Sequence, residues 1–92
     1  MMIDPMEALR TRFRTRALDE ADQLETALAG DDRATLERLA HSLAGTAGLF
    51  GYRAIGEAAA AVDGAFARGD PDAPQAAPAL IEAIRRELSG HS

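Results

Sequence analysis

The sequence predicts an all-α protein, an antiparallel up-down-up-down four-helix bundle, on three observations. Four segments carry apolar residues at the three-and-four spacing of a helix. Asp, Gly and Pro residues separate these segments at positions that suit helix starts and stops. No segment alternates with the period of two that marks a strand. Short connections between consecutive helices favour antiparallel neighbours.

The first helix opens at Asp4-Pro5-Met6-Glu7. Asp4 can cap free backbone amides, Pro5 suits the first helical position, and Glu7 completes a capping-box-like pattern. Its apolar stripe is Met6, Leu9, Phe13, Ala17, Leu24 and Leu28, and Gly30 reads as the stop. Asp31-Asp32 caps the second helix, whose stripe is Leu36, Leu39, Ala40, Leu43, Ala47 and Phe50, with Gly51 at its end. The third runs from about Arg53 to Arg68 with Ile55, Ala58, Ala59, Val62, Ala65 and Phe66 inward, and Gly69-Asp70-Pro71 stops it. Residues 69–78 read as a loop. The fourth helix carries Leu80, Ile81, Ile84 and Leu88. An interior proline loses a hydrogen bond and clashes with the preceding turn, so Pro78 belongs in the first turn and the helix starts no earlier than about Pro74.

Length and composition bound the function. Ninety-two residues make one domain, residues 1–92. Each helix has one apolar stripe and four stripes close one core, so a monomer is expected. Absence of cysteine excludes a disulfide scaffold, a zinc finger and a thiol nucleophile. All basic residues are arginine, and 10 of them against 15 acidic residues leave a net charge of −5. With only Phe13, Phe50, Tyr52 and Phe66 as aromatics, this balance argues against nucleic acid as a partner. No run of about 18 apolar residues exists, so no membrane span is expected. Residues 1–14 lack the apolar core of a secretion signal, and the expectation is a cytoplasmic protein. Met1 and the short tails suggest a free-standing chain.

The second helix holds an anomaly. Projected at about 100° per residue, His41 lies about 140° from the centre of the apolar stripe and faces solvent. Ala34, Glu37, Arg38, Gly45 and Gly48 share its face. Each glycine inside a helix costs roughly 1 kcal/mol against alanine. Folding does not require that loss. Glycines can serve helix packing, but these two fall opposite the inward stripe. Their effect is to strip side chains from the turns after His41, leaving the imidazole on a surface that another protein can approach closely.

His41-Ser42-Leu43-Ala44-Gly45, followed by Gly51, resembles the pattern H-x-L-[K]-G-x-x-x-x-x-G of histidine-containing phosphotransfer (HPt) domains. Leu36, Leu39 and Ala40 precede it in register. Leu49-Phe50-Gly51-Tyr52, then Ile55, Glu57, Ala58 and Val62, look like the family's following turn and helix. The resemblance implies a four-helix bundle that carries a phosphoryl group between receiver domains of response regulators or hybrid histidine kinases. It implies that His41 is the phosphoacceptor and that Gly45 leaves room for the phosphate and the partner. It implies no cofactor or metal on this chain, with Mg2+ and an acidic pocket supplied by the receiver. The chain is then a phosphocarrier, not an enzyme. Ala44 departs from the pattern, which has a lysine whose charge helps hold the phosphoryl group.

Arg38, three residues before His41 on the same face, is a candidate substitute for that lysine, since arginine binds phosphate through a fork of donors; a solvated surface residue is the alternative. Glu37 can accept a hydrogen bond from one ring nitrogen of His41 while the other attacks phosphorus, or it can repel the incoming group. No metal-binding spacing and no glycine-rich phosphate loop occurs in the sequence. Arg10, Arg12, Arg14 and Arg16 crowd the start of the first helix, and Asp19, Asp22 and Glu25 its later half. Both groups oppose the helix dipole. Folding does not explain them, and guidance of an acidic receiver surface is one explanation, a solvated charge run the other. Glu20 falls on the inward stripe with no role, and His91 is incidental. Two other functions stay open: an HPt-like adaptor that binds a receiver or kinase without carrying phosphate, and a plain structural bundle.

Overall fold

The computed structural model describes residues 4–89; Met1 and His91 lie outside them. Four helices form among these residues: α1 (Pro5–Ala29), α2 (Arg33–Ala47), α3 (Arg53–Ala67) and α4 (Ala77–Leu88). No strand occurs among the described residues. α1 packs on α2 and α4, and α3 packs on α2 and α4, so the contacts close a ring. Leu24, Leu36, Leu43, Ile55, Val62, Leu80, Ile84 and Leu88 fill its centre and are fully buried. Buried Ala17, Ala21, Ala40, Ala47 and Ala59 let the helices approach closely.

The helix starts follow their local chemistry. The Asp4 carboxylate accepts from the Met6 N–H, with Pro5 in the first turn. The Asp32 carboxylate accepts from the Thr35 N–H at 3.2 Å and from its hydroxyl at 2.7 Å. Pro78 sits in the first turn of α4.

Several boundaries and faces differ from the sequence reading. Gly30 is the C-cap of α1, as the sequence reading has it, though at φ −93°; the positive φ of 52° falls on Asp31. α2 ends at Ala47, and Gly48–Phe50 forms a 3-10 turn. The backbone then reverses through Gly51 at φ 83°, a conformation that favours glycine. The tighter turn takes Phe50 off the α2 stripe; it is half-buried and meets Phe13 at 5.2 Å between ring centroids. Residues 69–78 are not all loop. Ala73–Ala76 forms a second 3-10 turn, and buried Ala73 anchors it. Ala58 and Phe66 of α3 and Leu28 of α1 are half-buried rather than inward.

The largest difference is at the start of α1. Met6 and Leu9 are 44 % and 46 % exposed, and burial begins only at Phe13. A 25-residue helix is about 37 Å long, against about 18 Å for the 12 residues of α4. The first two turns of α1 therefore extend beyond the packed region, in a molecule of 51 × 21 × 20 Å.

Charges on the later half of α1 do have a folding role. Arg85 of α4 reaches Asp22 at 2.8 Å and Glu25 at 3.2 Å. Those two hydrogen bonds, Glu25 first and then Asp22, raise the Arg85 pKa. Glu20 is buried and accepts from Arg16 Nε at 2.9 Å, which satisfies its inward position.

Candidate functional site

The buried side chains of α2 are Leu36, Leu39, Ala40, Leu43 and Ala47. They commit one face of the helix to the core and turn His41 outward, with 78 % of its side chain exposed. Ala40 and Leu43 bracket it in sequence and hold the backbone beneath it against the core.

The surface after the histidine is bare. A Cβ added at Gly45 would meet nothing within 4 Å, and the same holds at Gly48. Neither glycine is needed for helix packing. Gly56 of α3 faces this end of α2: a Cβ there would make ordinary contact, 3.7 Å from the Gly48 nitrogen and 3.9 Å from the Ala47 Cβ. Gly45 lies inside α2, as the periodicity implies. Gly48 lies just beyond it, at the start of the 3-10 turn. Ala44 is half-buried and packs against the core.

The ring of His41 has a partner that periodicity did not reveal. Nδ1 lies 3.2 Å from both carboxylate oxygens of Asp63 on α3. A carboxylate only accepts, so this contact requires the proton on Nδ1, which in the neutral ring leaves the Nε2 lone pair free. Asp63 is 32 % exposed and comes from the helix beside α2. Glu37, the orienting carboxylate proposed from helical spacing, makes no hydrogen bond to His41; Asp63 occupies that position. Glu37 is one turn earlier on the same helix, within helical reach, but the ring turns its Nδ1 to Asp63 of α3.

Arg38 leans toward the α1 side of α2. It lies near Asp32 and Thr35 in the groove facing α1, and its charge contributes to lowering the Asp32 pKa. It forms no ion pair among the described residues. Charge around His41 is thus divided, with Asp63 on the α3 side and Arg38 toward α1.

No group of three or more His, Asp or Glu residues that could hold a metal ion occurs among the described residues. No helix among them is long and apolar enough to cross a membrane.

The geometry combines a solvent-facing imidazole with an oriented ring and an unobstructed approach, which suits a nucleophile that reacts with a group carried by another protein. The family model described as "Hpt domain" matches residues 8–90. No curated protein and no solved structure matches the chain. The match spans nearly the whole sequence and all four helices, and it implies a phosphotransfer role in two-component signalling. The chain belongs to the Hpt domain family.

Proposed function

We propose that this protein is a phosphocarrier of a two-component phosphorelay, with His41 as the residue that holds the phosphoryl group. The observation that carries the reading is the His41–Asp63 pair on an otherwise bare surface. In this reading the four helices run up-down-up-down as one cytoplasmic, monomeric domain, with neither nucleic acid nor membrane as a partner. Its partners are receiver domains of response regulators or hybrid histidine kinases.

The Nε2 lone pair of neutral His41 attacks the phosphorus of a receiver aspartyl phosphate. The P–N bond forms, the P–O bond to aspartate breaks, and the receiver carboxylate leaves. The ring gains positive charge, and Asp63 faces that charge through the Nδ1–H. Attack by the aspartate of a second receiver reverses the step and returns neutral His41. Phosphoryl transfer depends on positioning and charge neutralisation. Mg2+ held in the acidic pocket of the receiver would supply the neutralisation, so in this reading the chain needs no cofactor of its own. Gly45 and Gly48 leave room above the ring for the phosphoryl group and the receiver. Glu37 has no role in this scheme, and Arg38 is placed to meet the phosphoryl oxygens from the α1 side.

Ala44 favours a second reading, an adaptor that binds a receiver or kinase without carrying phosphate. The two separate in one experiment. The protein is incubated with a phosphorylated receiver, and acid-labile, alkali-stable label is measured. Label on the wild type that is lost in His41→Gln supports the phosphocarrier. Binding without label in both proteins refutes it in favour of the adaptor, and neither binding nor label refutes both.

A further inference from the structure

We propose that two copies of this chain associate reversibly through α1, with the two helices antiparallel about a twofold axis beside Leu18. The monomer of the phosphocarrier reading is the dissociated form of this pair.

Folding leaves much of the charge on α1 unanswered. Arg16 binds Glu20, and Arg85 binds Asp22 and Glu25. Arg10 and Arg14 form no ion pair among the described residues. They stand in the half of α1 nearer the positive end of its dipole, and Asp22 and Glu25 in the half nearer the negative end. One guanidinium does not neutralise two carboxylates, and Asp22 and Glu25 keep 74 % and 63 % of their side chains exposed. A second α1 laid antiparallel answers these charges together. It sets the basic half of each helix, with its positive dipole end, beside the acidic half of the other. Parallel pairing sets like charge against like.

The residues fall into register about one point. Met6, Arg10, Arg14, Leu18 and Asp22 recur at every fourth position and form a ridge that leads to the α4 side, where Asp22 meets Arg85. Arg14 precedes Leu18 by four residues and Asp22 follows it by four. A twofold axis at half-buried Leu18 therefore places Arg14 of each copy opposite Asp22 of the other. Arg10 falls within one residue of Glu25, and Met6 within two of Leu28. Leu28, Pro78 and Ile81 line part of a groove of about 550 Å³ between α1 and α4, with Glu25 and Glu82 beside them. Met6 is 44 % exposed on the stretch of α1 that no other helix covers, and it is the apolar side chain that this groove of the other copy receives.

From Met6 to Leu28 the contact runs about 33 Å along one face of a helix. That is less than an obligate dimer buries, and exposed ion pairs each add little, so the association is weak and reversible. His41 stands at the opposite edge of the bundle, beside Asp63 of α3, and stays open in the pair.

Sedimentation equilibrium of the full-length protein, from micromolar to millimolar concentration at low salt, reads the association without any transfer assay. The weight-average mass rises from that of one chain toward that of two, and falls back when added salt screens the charges. Arg14→Glu, at an exposed position, melts like the wild type, and its dissociation constant is at least about tenfold higher because the twofold axis repeats the lost contact. Asp22→Arg weakens pairing likewise, and an equimolar mixture of the two variants pairs within about twofold of the wild type, since opposite charges then face each other again. Arg68→Glu makes the same change in net charge on the exposed surface of α3 and also pairs within about twofold of the wild type. A single-chain mass for the wild type at millimolar concentration overturns the proposal. Wild-type pairing by Arg14→Glu, equal weakening by Arg68→Glu, or no recovery in the mixture also overturns it. A mass that climbs beyond two chains overturns it too, because an open head-to-tail assembly grows in that way.

Discussion

Replacing Gly45 separates stability from function. The residue lies inside α2, two positions before its last residue, and a Cβ there would meet nothing within 4 Å. Alanine is favoured over glycine in a helix by about 1 kcal/mol, and no clash offsets the gain. For a domain of this size that raises the melting temperature by about 4–8 °C. Gly45→Leu retains most of the gain, because leucine is nearly as good a helix former, but it places four carbons above the face that His41 shares. Thermal unfolding followed by far-UV circular dichroism checks the first effect, and transfer from a phosphorylated receiver checks the second. Both variants melt above the wild type, and Gly45→Leu transfers at least about tenfold more slowly. A lower melting temperature for Gly45→Ala would refute the claim that the site is sterically open. A wild-type transfer rate for Gly45→Leu would refute the claim that its openness serves the partner.

Asp63→Asn keeps the fold but lets the His41 ring exchange tautomers, which nitrogen NMR of the imidazole detects. With so exposed a ring the transfer rate falls by only about 2- to 5-fold. The Thr35 hydroxyl, then its backbone N–H, hold the Asp32 carboxyl below its ordinary value of 3.8. A depressed folded-state value means that the cap's contribution is complete above the unfolded value and is lost as pH falls through the folded one. Asp32→Asn therefore lowers the melting temperature at pH 7 more than at pH 2, which melts across that range measure. Leu36→Ala, at a fully buried position, costs about 2–5 kcal/mol in a denaturant titration. Met6→Ala, on the uncovered start of α1, stays within about 0.5 kcal/mol of the wild type in the same titration.

Much of the site was legible along the chain because it lies on one helix. The outward direction of His41 follows from the period of α2 and the strong commitment of Leu36, Leu39 and Leu43 to the other face. Gly45 shares that face by the same rule. Gly48 was harder, since a 3-10 turn and an extra α-helical turn leave similar patterns over three residues. The partner of His41 had no signal of this kind. Asp63 is 22 residues away, and helical spacing nominated Glu37, the nearest carboxylate on the same helix.

The sequence by itself determined the helix count, the caps at Asp4 and Asp32, the inward residues of α4 and the face on which the histidine stands. Each of these depends on local periodicity and backbone chemistry within a few residues. The tertiary structure alone decided that Asp63 rather than Glu37 meets the imidazole, that Arg85 draws together Asp22 and Glu25, and that Met6 and Leu9 are left uncovered. Those outcomes depend on the rotation and offset of one helix against the next. Packing of whole faces sets these quantities, and no single segment encodes them.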